Sequence, residues 1–287
     1  MSQETRVLRT AIGRTAYTEP LFTGAATSPS LRLAFEPFPT IYRAFAPMVR
    51  ELAFDVSELA MATLLQAKAA GKRIKLLPVV LVGRFQQGAM LCLKSSSLRS
   101  EADLRGRRVG VRSYTQTSGM WLRGIIEDHH GIKAHEMRWV TFEGAHVTEF
   151  KDPLWVERAA PGKEMLAMLR AGELDAVIVG TEMPKGDDLR PVFADPKAAG
   201  EAFFAQHGFM PANHLLTMRQ EIAEREPNIA DELVRLFGGL KASAKGEGLD
   251  PRPIGRAVID PSLKLALRYC TAQGLLARSL SLEEVWG

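Results

Sequence analysis

The chain has 287 residues, a length that suits two α/β lobes better than one small domain. Hydrophobic residues make up 46% and charged residues 24%, as in ordinary globular proteins, and the net charge is only +4. No basic run interleaved with aromatics stands out and no apolar stretch reaches 18 residues, so neither nucleic acid nor a membrane is expected as a partner.

The opening MSQETRVLRTAIGRTAYTEP lacks an apolar core followed by a small-residue cleavage site, and a cytoplasmic location is expected. In chain order, apolar runs predict strands at 31–35 and 74–82. Between them, helical spacing predicts a helix tail at 47–54 and a helix at 59–70 that stops at Gly71. Further strands are predicted at 89–93, 108–112, 138–141, 174–179 and 214–218. A helix at 119–128 should stop at Gly131, and one at 161–171 should have Pro161 in its first turn and Gly172 as its cap. The last third reads as helices at 221–241 and 263–272 around a Gly/Pro-rich loop at 246–261.

Alternating strands and helices imply mostly parallel sheets covered by helices on both faces. In such sheets ligands bind at the carboxyl ends of the strands. A helix, a short turn, an aspartate and a return to the core occur around Asp55 and again around Asp175, as if one supersecondary unit were used in each of two lobes. Cys92 and Cys270 lie far apart in apolar contexts and are expected to be buried free thiols. The six histidines show no metal-ligand spacing.

The most informative stretch runs from Asp103 to Gly119, where a short strand feeds a run of hydroxyl and amide side chains and then a helix. The first helical N–H groups have no internal partner, the helix dipole adds partial positive charge, and the hydroxyls add donors. A small oxyanion or carboxylate is the expected ligand, with Thr115, Gln116 and Thr117 around it; Thr115 or Thr117 serving as the helix cap is the alternative. Arg84 and Arg123 offer planar forks for a carboxylate. Their structural alternatives are a salt bridge for Arg84 and a solvated helix face for Arg123. Tyr114 and Trp121 could stack on an aromatic ring or pack in the core. Glu58, next to Ser57, stands three residues after Asp55, a spacing that fits either a capping box or a buried functional acid. His214, where a loop becomes an apolar strand, reads as a proton donor, a carboxylate ligand or a core histidine. His146 lies in a polar loop, exposed or at the site.

Several segments together resemble the 4,5-dihydroxyphthalate decarboxylases, relatives of type II periplasmic solute-binding proteins. They are Phe54-Asp-Val-Ser-Glu-Leu-Ala60, Leu77-Pro-Val, Arg84-Phe85, Asp103-Leu-Arg-Gly-Arg-Arg-Val-Gly-Val, Tyr114, Trp121-Leu-Arg-Gly-Ile125, Met168-Leu-Arg-Ala-Gly-Glu-Leu-Asp-Ala176, Asn213-His214 and Arg268-Tyr269 with Gln273-Gly-Leu. The resemblance runs from about Phe54 to the end of the sequence. It implies an α/β, two-lobed, type II periplasmic-binding-protein-like fold with a ligand cleft between the lobes, lobe one being 1–88 plus 196–287 and lobe two 89–195. It implies a decarboxylase of a hydroxylated aromatic, phthalate-like acid, needing no cofactor or metal. His214 and Glu58 would carry protons; Arg84, Ser57, Tyr114, Thr115, Gln116, Thr117, Arg123 and His146 would bind the small aromatic carboxylate. Self-association into a homo-oligomer is left open. Two places depart from the family pattern. Gln86-Gln87 stands where the family has Arg-His, and residues 254–260, with Ala257, stand where it reads Tyr-Gly-Leu-Glu-Ala-Asn-Arg. These departures keep a second reading alive, a solute-binding protein for a small carboxylate or other oxyanion, without chemistry.

Overall fold

A computed structural model describes residues 5–180, 183–184, 186–243 and 249–287. The chain divides into two compact units, one of residues 1–83, 212–263 and 279–287, the other of residues 84–211 and 264–278. Against the expected borders at 88/89 and 195/196, segments 84–88, 196–211 and 264–278 fall in the second unit.

The N-terminal part of the first unit runs β1 (Arg6–Ala11), α1 (Glu19–Phe22), β2 (Leu31–Phe35), α2 (Phe45–Glu51), β3 (Val56–Ala60), α3 (Met61–Ala69) and β4 (Ile74–Gly83). The second unit follows with β5 (Met90–Leu93), β6 (Arg108–Val111), α4 (Thr117–His130), β7 (Arg138–Thr141), β8 (Val156–Arg158), α5 (Met165–Arg170), β9 (Ala176–Ile178), β10 (Leu189–Pro191) and α6 (Pro196–His207). The chain then passes through β11 (Ala212–Arg219), α7 (Gln220–Arg225), α8 (Pro227–Ser243), α9 (Arg256–Ala272) and α10 (Leu282–Trp286).

The two sheets repeat one pattern. The first has the order β2-β1-β3-β11-β4, and the second β10-β5-β9-β6-β7-β8. In the first, β1 pairs in parallel with β2 and β3, and β11 runs antiparallel between β3 and β4. In the second, β6 pairs in parallel with β7 and β9, and β5 runs antiparallel between β9 and β10. The expected mostly parallel sheets are therefore each interrupted by one reversed strand.

The aspartates of the sequence repeat do the same job in both units. The Arg9 N–H donates to Asp55 Oδ2 at 2.9 Å, and the Asp55 N–H returns a bond to Arg9 O at 2.9 Å. The Arg108 N–H donates to Asp175 Oδ2 at 2.8 Å, and the Asp175 N–H returns a bond to Arg108 O at 2.8 Å. In each case the aspartate opens a strand and clips it to its parallel neighbour, following a helix closed by a left-handed residue, Leu52 (φ 51°) or Gly172 (φ 74°). Each unit has its own apolar core. In the first, Leu8, Val56, Leu77, Leu216 and Met218 pack with Leu233 and Phe237; in the second, Leu91, Val140, Leu169 and Val177 pack together.

Several expected elements shift. The helix expected over 59–70 forms over Met61–Ala69, because Leu59 and Ala60 end β3, whose five residues are all buried and continue the first sheet. The helix expected over 161–171 forms only over Met165–Arg170, since Gly162 takes φ +81° and cannot join a right-handed turn. The helix expected over 221–241 breaks before Pro227, which drives Glu226 out of the helical region to φ −134°, ψ 65°. The loop expected at 246–261 gives way to α9 at Arg256, which runs through Pro261; of that loop, residues 246–248 lie outside the described residues. Cys92 and Cys270 are buried free thiols.

The segment 264–278 is fixed to α4. Arg268 pairs with Asp128 through both oxygens at 2.9 and 2.6 Å, and the Tyr269 hydroxyl donates to Asp128 Oδ2 at 2.6 Å. Gln273 Nε2 donates to Met120 O at 2.9 Å. This approach needs a glycine, for a Cβ built on Gly124 would lie 2.3 Å from the Tyr269 ring. Gly124→Ala is therefore expected to lower stability by about 1–3 kcal/mol through overpacking, despite the better helix propensity of alanine. Urea denaturation of the two proteins reads this directly; an unchanged midpoint would mean that α4 and the Tyr269 ring separate at no cost.

Candidate functional site

The reversed strand of the first sheet creates its chemical feature. β3 and β4 both end at the edge where β11 begins, so early β11 residues lie beside the carboxyl ends of their neighbours. His214, the third residue of β11, pairs with Ala60 on β3 and Val82 on β4, while Leu216 pairs with Glu58. Side chains two apart on a strand share a face, so Glu58 and His214 are diagonal neighbours on one face. Glu58 Oε1 lies 2.5 Å from His214 Nδ1. Glu58 Oε2 accepts the Gly13 N–H at 2.8 Å, from the loop that leaves β1. The ring edge of Phe45, the first residue of α2, packs on His214 at a centroid distance of 5.3 Å and an interplanar angle of 89°. The Glu58 side chain is 4% exposed and that of His214 15%, so solvent reaches the imidazole and hardly reaches the carboxylate.

This removes the capping-box alternative for Glu58. It is the third residue of a strand, not of a helix, and Asp55 clips strands rather than capping a helix. Ser57, also expected at the site, is placed differently from Glu58. It alternates to the opposite face, is fully buried, and its hydroxyl donates to Glu58 O at 2.9 Å.

In the second unit, Arg84 and the start of α4 come together at the carboxyl ends of β6 and β9. Arg84 Nη1 donates to Gly180 O at 3.1 Å and Nη2 to Ser118 Oγ at 3.0 Å. Burial pulls its guanidinium below the usual arginine value. No carboxylate faces it in these bonds, so the expected salt bridge is replaced by a carbonyl and a hydroxyl. Gln116 is the residue before the first turn of α4, and its Nε2 reaches Val179 O at 3.4 Å. Neither Thr115 nor Thr117 caps the helix: Thr115 pairs with the Ser113 hydroxyl at 3.0 Å, and Thr117 is the first helical residue. Both are buried in the turn.

Tyr114 and Arg123, both expected to bind the acid, form a packed stack behind that turn. Arg123 is fully buried rather than on a solvated helix face. Its guanidinium lies 4.1 Å from the Tyr114 ring centroid and 4.9 Å from that of Trp139. Its Nε donates to Gln273 Oε1 at 2.8 Å and its Nη2 to Tyr114 O at 2.7 Å. Burial lowers the Arg123 pKa, and aromatic faces take the place of a counter-ion. The Tyr114 hydroxyl donates to Gln273 O and accepts the Trp155 indole N–H, both at 3.1 Å. Trp121 packs edge-on against Tyr269 in the same core. His146 stays in the loop after β7, half-buried.

Gln86 and Gln87, at the first departure from the family pattern, are fully buried in the second unit. Gln86 Nε2 donates to Arg84 O at 2.9 Å, and Gln87 Nε2 to Ala199 O at 3.3 Å. Ala257, at the other departure, is exposed at the start of α9. Sequence reasoning missed Gly13 and Phe45; neither carries a local signal, because each matters only through what the sheet brings to it. Among the described residues, no group of three His, Cys, Asp or Glu side chains is placed to hold a metal ion, and no helix is long and apolar enough to cross a membrane.

No family model matches the sequence. A 4,5-dihydroxyphthalate decarboxylase from Comamonas testosteroni is 26% identical over 301 residues, covering 97% of this chain and 85% of that protein. One from Pseudomonas putida is 29% identical over 184 residues, covering 60% of this chain and 69% of that protein. Among solved structures, the periplasmic aliphatic sulphonate binding protein SsuA from Escherichia coli aligns over 98% of this chain and 97% of its own, with a TM-score of 0.65 at 15% identity. In sequence the chain resembles the 4,5-dihydroxyphthalate decarboxylases over almost its whole length, and its fold is the two-lobed one of the periplasmic solute-binding proteins.

Proposed function

We propose that this protein is a decarboxylase of a hydroxylated aromatic carboxylic acid, a carboxy-lyase. The similarity to named decarboxylases points to the reaction, and the buried Glu58–His214 pair is the observation that carries it. Net, the reaction consumes one proton: Ar–CO₂⁻ + H⁺ gives Ar–H + CO₂. A ring hydroxyl that gives up its proton pushes electron density toward the carboxyl-bearing carbon. Protonation of that carbon then lets CO₂ leave and restores aromaticity. The protein must therefore hold a carboxylate and move a proton.

His214 is the proton carrier in this reading, since imidazole exchanges protons near neutral pH and its ring is the solvent-reachable member of the pair. Arg84 and the first turn of α4 are the groups that would hold an anion in this reading, a guanidinium fork and the positive end of a helix. Thr115, Gln116 and Thr117 support that turn. The solute-binding fold favours one competing reading, an acid receptor without chemistry. A panel of hydroxylated aromatic mono- and dicarboxylates, assayed together for CO₂ release and thermal shift, separates the two. CO₂ release with stabilisation is expected; stabilisation by an acid with no CO₂ from any of them makes the protein a receptor.

Two substitutions sharpen this. His214→Asn keeps a hydrogen-bonding group but loses the titrating ring, so turnover should fall by roughly 10²–10⁴ while binding of the acid changes little. A variant that turns over at the parental rate removes His214 from the chemistry. Arg84→Lys should weaken acid binding by about 1.5–3 kcal/mol, the worth of one charge-assisted hydrogen bond, because lysine cannot present two prongs. Calorimetric titration of both proteins with the best acid of the panel decides it, and equal affinities would confine Arg84 to its bonds with Gly180 and Ser118.

A further inference from the structure

We infer that Glu58 is a positioning residue rather than a proton carrier, holding His214 in the Nδ1–H tautomer so that Nε2 is the nitrogen that exchanges protons. This rests on the decarboxylase reading above and divides the labour within its proton-transfer pair.

Three observations carry it. Both carboxylate oxygens are engaged, Oε2 by the Gly13 N–H at 2.8 Å and Oε1 by His214 Nδ1 at 2.5 Å. A backbone N–H can only donate, so Oε2 is an acceptor; with Glu58 as the carboxylate, Oε1 accepts as well, and the proton between Oε1 and Nδ1 then sits on the imidazole. The Glu58 side chain is also the less exposed partner, 4% against 15%, so a substrate meets the ring and not the acid. Finally, the edge of Phe45 stands at 89° to the imidazole, which limits ring tilting and leaves the carboxylate to fix the tautomer. The arrangement follows the general rule that the partner of one ring nitrogen decides the state of the other.

In turnover Nε2 takes the proton of the substrate's ring hydroxyl, and the imidazolium so formed faces the Glu58 carboxylate. The same nitrogen returns a proton to the carboxyl-bearing carbon as CO₂ departs. The Nδ1 proton stays with Glu58 throughout, and the proton consumed overall comes from water.

Glu58→Gln tests this with little change of shape. The glutamine oxygen can still accept the Gly13 N–H, which turns its NH₂ toward Nδ1 and forces that nitrogen to accept. The neutral ring must then carry its proton on Nε2. Long-range ¹⁵N–¹H correlation on ring-labelled protein reads the tautomer without any substrate. The spectrum of His214→Gln identifies the His214 signals among those of the six histidines. On the neutral limb of the titration, Nδ1–H is expected in the parent and Nε2–H in Glu58→Gln. Turnover should fall roughly 10²–10⁴-fold, with KM for the acid changed less than about threefold. Nε2–H in the parent overturns the inference without need of a variant. So does an unchanged tautomer, or parental turnover, in Glu58→Gln. A tautomer switch in a protein that releases CO₂ from none of the acids overturns the decarboxylase reading instead, and the pair then orders a binding site.

Discussion

Strand β11 runs antiparallel between β3 and β4, and the contact between Glu58 and His214 depends on that reversal. In an all-parallel sheet the amino end of a strand is remote from the carboxyl ends of its neighbours. With one strand reversed, residue 214 comes to rest near residue 58 although 156 residues separate them. The Asp55 clip sets β3 against β1, and the loop leaving β1 then delivers the Gly13 N–H to the same carboxylate. Register, reversal and clip together bring three polar groups to one edge.

Placing a carboxylate there has a cost that its surroundings must offset. An unpaired ion at so buried a position would lose several kcal/mol of solvation, even after the structure relaxes. A backbone N–H on one oxygen and an imidazole on the other supply the lost partners. The second unit solves a similar problem differently. Arg123 is as buried as any residue in the protein, yet its bonds go to a carbonyl and an amide and its faces to Tyr114 and Trp139. Guanidinium tolerates this because it is weakly hydrated and planar, whereas a carboxylate has no aromatic substitute for a donor.

Much of this was legible in the sequence. Period-two and apolar runs located seven strands within a residue or two, because each is bounded by glycine, proline or a helix with its own stop signal. The repeat around Asp55 and Asp175 was visible as spacing, and the structure supplies its meaning as a strand clip. Strand β3 was harder. It is buried on both faces and so shows no alternation, and Asp55 and Glu58 happen to mimic a capping box. The burial of Arg123 was invisible for another reason. Its partner Gln273 comes from a segment about 150 positions away that joins the second unit after the chain has returned to the first. Local pattern reports which face of a helix is apolar; it does not report that a polar face will be roofed over.

The matching sheets allow an internal comparison that bears on function. By strand order and direction, β3 corresponds to β9 and β11 to β5. The residue three after the clipping aspartate is Glu58 in the first unit and Ile178 in the second. Glu58 pairs with Leu216, as Ile178 pairs with Met90. Two residues before Leu216 is His214; two before Met90 is Gly88. The same scaffold position is thus filled by an acid and a histidine in one copy and by an isoleucine and a glycine in the other. Since an apolar pair satisfies the sheet, the fold does not require Glu58 and His214. A buried carboxylate is the more expensive of the two solutions, and replacing buried ion pairs with apolar residues is often neutral or stabilising. The first unit holds Glu58 and His214 at a position where the fold would accept an apolar pair, which supports the proton-transfer role proposed for them.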